Sequence, residues 1–170
     1  MTYEDKLKNE LVSGFNQFVR EESIPRIIRC LHELDDNLIW QKPCANCNSI
    51  ANLILHLIGN AKQYISAGIG GVEDIRHRRS EFECREGVTA AQLESQLLAL
   101  SEEMAKVLGK VKASQLMEIR SVQCYEMTVL KILLHVMEHF SYHTGQIVYY
   151  TKLLKDQDLR FYDDDLLNGV

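Results

Sequence analysis

Three histidines near the C-terminal end of the chain, His135, His139 and His143, stand at even steps of four in the stretch LLHVMEHFSYHTGQI. They are half of the six histidines in 170 residues. In an α-helix each residue turns about 100°, so a step of four advances about 40° and adjacent members of such a line share one flank. Two imidazoles one turn apart can approach a single ion. Gln146 prolongs the line, while Val129, Ile132, Leu133, Val136, Phe140 and Ile147 fall to one side of it, so the stripe borders the apolar face. Two donors are too few, because zinc and similar ions take at least three protein ligands. His56 is a candidate third: it stands between LIL and LIG, on a polar line of Asn52, His56, Asn60 and Gln63. Two polar lines beside apolar faces can meet inside a helical bundle. Three neutral imidazoles with an open fourth position make a catalytic kind of metal site, in which the ion lowers the pKa of a bound water or thiol. Spacing alone leaves a second reading equally open, with His56 a hydrogen-bonded core residue and the ladder a solvated helix face.

Composition bounds what must position these groups. Hydrophobic residues make up 46% and charged residues 25%, which argues for a folded chain of one domain across residues 1–170. A net charge of -5, with Lys and Arg scattered apart from the short cluster IRHRRS, gives no electrostatic footprint for nucleic acid. No apolar run is long enough to span a membrane, and MTYEDKLKNE lacks the apolar core of a secretory signal, so a cytoplasmic protein is expected. Five cysteines, an odd number, are expected as reduced thiols. Cys44 and Cys47 form a C-x-x-C ahead of a helix N-terminus, where the helix dipole favours a thiolate. No βαβ pattern surrounds the pair and no second ligand pair follows, so it reads as an incidental feature of a loop.

Apolar spacing predicts four long helices. The first runs from about Tyr3 to Leu38, with Phe15, Phe18, Val19, Ile24, Ile27, Ile28, Leu31 and Leu34 toward the core, and Pro25 should kink or split it. After the loop WQKPCANCNS the second begins at Asn48 or Ser49, buries Ile50, Leu53, Ile54, Leu57, Ala61, Tyr64 and Ile65, and stops at GIGG. Thr89 with Gln92 is a capping box for the third, whose apolar line runs from Leu93 to Val111. The fourth runs from near Thr128 to about Leu154. No strand pattern of useful length is present. The expected architecture is an all-α four-helix bundle with a long connection between helices two and three. That connection, GGVEDIRHRRSEFE, reads as a solvated loop in which Arg76, Arg78 and Arg79 pair with nearby acids; the alternative has an arginine reaching over the metal to an anionic substrate. Trp40 is expected to plug the bundle end, and Tyr142, Tyr149 and Tyr150 to pack. His32, His77 and the charged tail FYDDDLLNGV receive no role.

The segments NSIANLILHLIGNAKQYI, GIGGVEDIRHRRSEF and HVMEHFSYHTGQIVYYTKLL together resemble the DinB family, the DinB/YfiT-like metal-binding four-helix bundles, and among them its small bacterial members. The likeness runs from the helix ending in LIW to LRFY, and NLILHL and EHFSYHTGQI are its specific parts. It implies one histidine on the second helix and an H-x3-H pair on the last: His56, His139 and His143. His135 then becomes a supporting group or substitute ligand, in company with Gln146 and Asn60. The resemblance further implies a divalent metal, zinc or nickel, at the mouth of the bundle, and a homodimer. Some relatives are thiol-dependent S-transferases or isomerases using a low-molecular-weight thiol such as bacillithiol or mycothiol, and many have no assigned reaction. The expected function is therefore metal-dependent thiol S-transfer or hydrolysis of a small molecule, against a non-catalytic metal-binding or structural dimer linked to stress. No carboxylate suggests itself as a general base, since Glu138 turns about 100° away from His139. Imidazoles suit zinc, nickel, copper and iron alike, so ligand type does not choose the ion.

Overall fold

The computed structural model describes residues 1–162 and Leu167. Thr2 starts the first helix with a reciprocal capping box: its hydroxyl accepts from the Asp5 amide and the Asp5 carboxylate accepts from its own. Helix α1 (Tyr3–Phe15) runs on through a π-helical segment (Asn16–Ser23) into α2 (Ile24–His32). Pro25 stands in the first turn of α2. A proline lacks the amide proton and crowds the carbonyl four residues back, and the wider π turn ahead of it accommodates both. The first helix is thus three joined pieces, with one junction beside Pro25 as expected and a second at Phe15–Asn16 that was not. Phe15 and Val19 take the core face and leave Phe18 on the flank, 52% exposed, contrary to its expected burial.

Helix α3 (Ile50–Ala61) opens with another capping box, between Ser49 and Asn52. It continues as a π-helical segment to Ala67 and then turns through glycines, Gly71 at a φ of 76° that a side chain would resist. It is buried on nearly every side, including Asn52, His56 and Asn60. The connection that follows carries a short helix, α4 (Arg78–Glu83), laid along α3. Helix α5 (Ala90–Leu108) begins at the Thr89–Gln92 box. Strands β1 (Ile119–Val122) and β2 (Tyr125–Thr128) form an antiparallel hairpin, Ile119 opposite Thr128, before α6 (Val129–Lys155), which Thr128 caps. Phe15, Ile27, Ile54, Leu57, Leu97, Met104, Ile132 and Phe140 meet in a core drawn from all four long helices.

Hairpin and α4 are additions to the all-α expectation. Four-residue strands are too short to show an alternation, and a six-residue helix too short to show a 3.6 period. The expectation of five reduced thiols is corrected by a Cys44–Cys47 disulfide, which a turn makes feasible by bringing the two Cα atoms to 5.1 Å. Cys30, Cys84 and Cys124 are free. Trp40, half-buried, donates its indole N–H to the Val88 carbonyl at 3.0 Å and ties the loop before α3 to the start of α5. Among the described residues no helix is long and apolar enough to cross a membrane. Most of the charged tail, residues 163–166 and 168–170, lies outside the described residues.

Candidate metal centre

Helices α3 and α6 bring His56, His139 and His143 together, with one ring nitrogen of each within 4.8 Å of the others. His56 Nε2 and His139 Nε2 are 3.0 Å apart. Nitrogens bound at about 2.1 Å in a tetrahedron lie about 3.4 Å from one another, so the rings need to part by only a few tenths of an ångström to admit an ion. Burial, reinforced by His143, His56, His135 and Arg76, lowers the His139 pKa from 6.5 to about 3. Burial also lowers that of His143, against a hydrogen bond to Gln146 that raises it. These two rings are therefore neutral at ordinary pH, the form that ligates metal.

The second nitrogen of each outer ring is also committed. His143 Nδ1 lies 2.8 Å from Gln146 Oε1, an acceptor, so its proton sits on Nδ1 and Nε2 stays bare. His56 Nδ1 has two neighbours, Glu81 Oε2 at 2.8 Å and Arg76 Nη2 at 3.1 Å. Burial raises the Glu81 pKa, but hydrogen bonds from Arg76 and His56 outweigh it and hold the carboxyl below its usual value. An ionised carboxylate only accepts, so Nδ1–H of His56 donates to Glu81 and Nε2 is the nitrogen turned toward His139. This carboxylate–imidazole pair is the arrangement that orients histidine ligands in metal sites. Glu81 is held in turn by a two-pronged bond from Arg76, Nε to Oε1 at 2.7 Å and Nη2 to Oε2 at 2.9 Å. Arg76 Nη1 donates to Gln63 Oε1 at 2.8 Å, and the Gln63 amide donates to Asp74 at 2.6 Å.

The chain matches the DinB family model over residues 10–166. It belongs to the DinB family. Its bundle superposes on a DinB-like protein of Bacillus subtilis with a TM-score of 0.66 at 18% identity, covering 91% of this chain and 98% of that one. A DinB-like protein of Bacillus cereus gives 0.65 at 15% identity over 84% and 91%. A conserved protein of Enterococcus faecalis gives 0.67 at 17% identity over 92% and 99%. At these identities the likeness shows the fold. No curated protein matches the chain.

In this DinB bundle the predicted trio converges, and its three imidazoles are a donor set that suits a divalent ion. Among the described residues no fourth His, Cys, Asp or Glu joins the cluster, so the donor set is of the open kind. His135 stands aside: its ring stacks on His139 at 5.5 Å and leans on Tyr64 at 4.6 Å. Gln146 serves His143, and Asn60 is buried with Oδ1 unpartnered. The connection needs correcting at two residues. Arg79 pairs with Glu83 in solvent as expected, and Arg76 pairs with Glu81, but the Arg76 side chain is 4% exposed and stands behind His56, while Arg78 lies over the Phe82 ring at 5.0 Å. The polar line of α3 also meets a different partner: Asn52 donates to the carbonyls of Glu81 and Cys84, His56 bonds Glu81, and Gln63 bonds Arg76 and Asp74, so all but Asn60 reach the connection, and His56 meets α6 as well. Gly59 makes this closeness possible, since an added Cβ would lie 2.9 Å from Glu81 Cδ and 3.0 Å from Arg76 Nε. Tyr142 and Tyr149 are exposed and not packed, Tyr142 lying edge-on to His143 at 5.0 Å. Glu81 escaped the sequence reading as a partner of His56. It was expected there only as one of the acids pairing with the arginines of the connection, which does not bring it to His56.

Proposed function

We propose that this DinB chain is a metal-dependent enzyme that binds zinc or nickel through His56, His139 and His143 and catalyses thiol S-transfer or hydrolysis on a small molecule. A divalent ion on three imidazoles supplies Lewis acidity to a bound thiol or water. The chain's own part is to place a proton on Nδ1 of two rings, through Glu81 on His56 and Gln146 on His143, so that their Nε2 atoms are turned to the ion, and to shield the donors with neighbouring rings such as Phe82, 4.7 Å from His56. The observation that carries the proposal is the convergence of three histidines from two helices with no fourth donor among the described residues. A low-molecular-weight thiol is the natural co-substrate, and assembly as a homodimer belongs to the same proposal, with sedimentation equilibrium as its check.

Elemental analysis of purified and reconstituted protein tests it. Wild type is expected to hold about one divalent ion per chain, and His56→Ala and His139→Ala to lose it, as three-ligand sites do when a ligand is removed. Equal and negligible metal in all three would end the metal reading. A panel of thiols against electrophiles then tests turnover. One observation favours a second reading, a bundle that holds metal without turnover: Glu81, the carboxylate bonded to the cluster, is already committed to His56 and Arg76 and is not free to move a substrate proton.

A further inference from the structure

Among the described residues, four buried side-chain atoms make no hydrogen bond, and two of them, Asn60 Oδ1 and His135 Nε2, stand on facing helices beside the imidazoles. The ring contacts show α3 and α6 running antiparallel there. His56 meets His139 and His143, at 4.9 and 5.2 Å between ring centroids, and two turns on Tyr64 meets His135 at 4.6 Å. Asn60 is midway between His56 and Tyr64, on the same line of α3. His135 is one turn from His139 in the same direction along the bundle. Both orphan atoms thus lie to the same side of the trio, Asn60 one turn of α3 from His56 and His135 one turn of α6 from His139, each turn about 5.4 Å. Asn60 is 4% exposed, and a buried oxygen without a donor costs about 1–3 kcal/mol. A leucine among the surrounding Leu and Ile would carry no such cost, and orphan groups of this kind call for a ligand or bound water. Tyr64 closes that side toward the hairpin, with its hydroxyl already given to Gln123.

We infer that Asn60 and His135 form a polar subsite that takes a hydroxyl or N–H group of the substrate, next to the atom of that substrate held at the metal; the inference rests on the metal-centred reading above. A hydroxyl satisfies both orphans at once, donating to Asn60 Oδ1 and accepting from His135 Nε2–H. The ligand class is a small thiol or similar metal-binding molecule with such a donor two carbons from its binding atom. A metal–sulfur bond of about 2.3 Å and a two-carbon chain reach the neighbouring turn.

Cobalt-loaded protein titrated with 2-mercaptoethanol and with ethanethiol, followed by thiolate-to-cobalt absorption, tests the subsite. The two thiols differ only by the hydroxyl. Wild type is expected to bind 2-mercaptoethanol about tenfold more tightly, the worth of one good buried hydrogen bond. In Asn60→Leu and in His135→Phe the preference should shrink to what the different acidities of the two thiols produce. Both variants should keep cobalt and, having lost an orphan atom, keep or raise their Tm. Equal affinity of wild type for the two thiols would mean that solvent alone fills the subsite and would overturn the inference with the metal reading intact. A preference that survives in both variants overturns it equally. Failure of wild type to take up cobalt, seen in the spectrum before any thiol is added, overturns both.

Discussion

At the scale of single residues, the state of His56 depends on one proton. Nδ1 carries it because Glu81 is ionised, and Glu81 is ionised because Arg76 holds both of its oxygens. In Glu81→Gln the amide no longer dictates the tautomer, and Arg76 is left buried without its counter-charge. Affinity for zinc or nickel should fall about 10–100-fold, measured by competition with a chromophoric chelator on folded protein. Stability should fall by roughly 3–5 kcal/mol in urea melts. An unchanged metal affinity would remove Glu81 from the site.

At the scale of elements, the three-histidine cluster depends on how the connection lies along α3. Replacing glycine by alanine inside a helix ordinarily stabilises by about 0.4–1 kcal/mol. Gly59→Ala is expected to do the reverse and to weaken metal binding, because its methyl meets the Glu81 carboxyl and the Arg76 guanidinium. A rise in Tm with full metal affinity would show that the connection moves aside freely. Asn52 fastens the same layer further along, donating to the Glu81 and Cys84 carbonyls while capping α3. Asn52→Ala should cost about 2–3 kcal/mol through these lost bonds and expose the Arg78–Arg79 segment to faster cleavage by trypsin.

At the scale of the whole molecule, the buried imidazoles couple folding to pH. His139 titrates near 3 when folded against 6.5 ordinarily, and it faces His56 and Arg76 from α3 and the connection, and His135 and His143 on its own helix. Between these values the unfolded chain binds more protons, so stability is full above about pH 6.5 and is lost as the pH falls toward 3. His135 and His143 are lowered too, chiefly by burial, and act in the same direction. Glu81, below its usual 4.5, adds a further loss once the pH drops under that value. Urea midpoints of chelator-treated protein should therefore decline from pH 7 to pH 5, and less steeply in His139→Gln. Added metal at about a hundred times its dissociation constant should raise stability by about 2.7 kcal/mol at pH 7, and by much less at pH 5, as protons compete for the rings.

The four long helices, the caps at Ser49 and Thr89, the break near Pro25 and the meeting of His56 with His139 and His143 were all legible in the sequence. Each rests on local periodicity, on capping chemistry or on a motif, and these act over a few turns of one helix. The place of Glu81 beside His56, the burial of Arg76, the hairpin and the unpartnered atoms of Asn60 and His135 were not legible. Glu81 lies 25 residues from His56, in an element too short to show a period, and only the closing of the connection onto α3 brings the two within a hydrogen bond. The ligands are a matter of helix faces, which sequence determines; the protons and the orphan groups around them are a matter of which surfaces touch, and only the tertiary structure decides that.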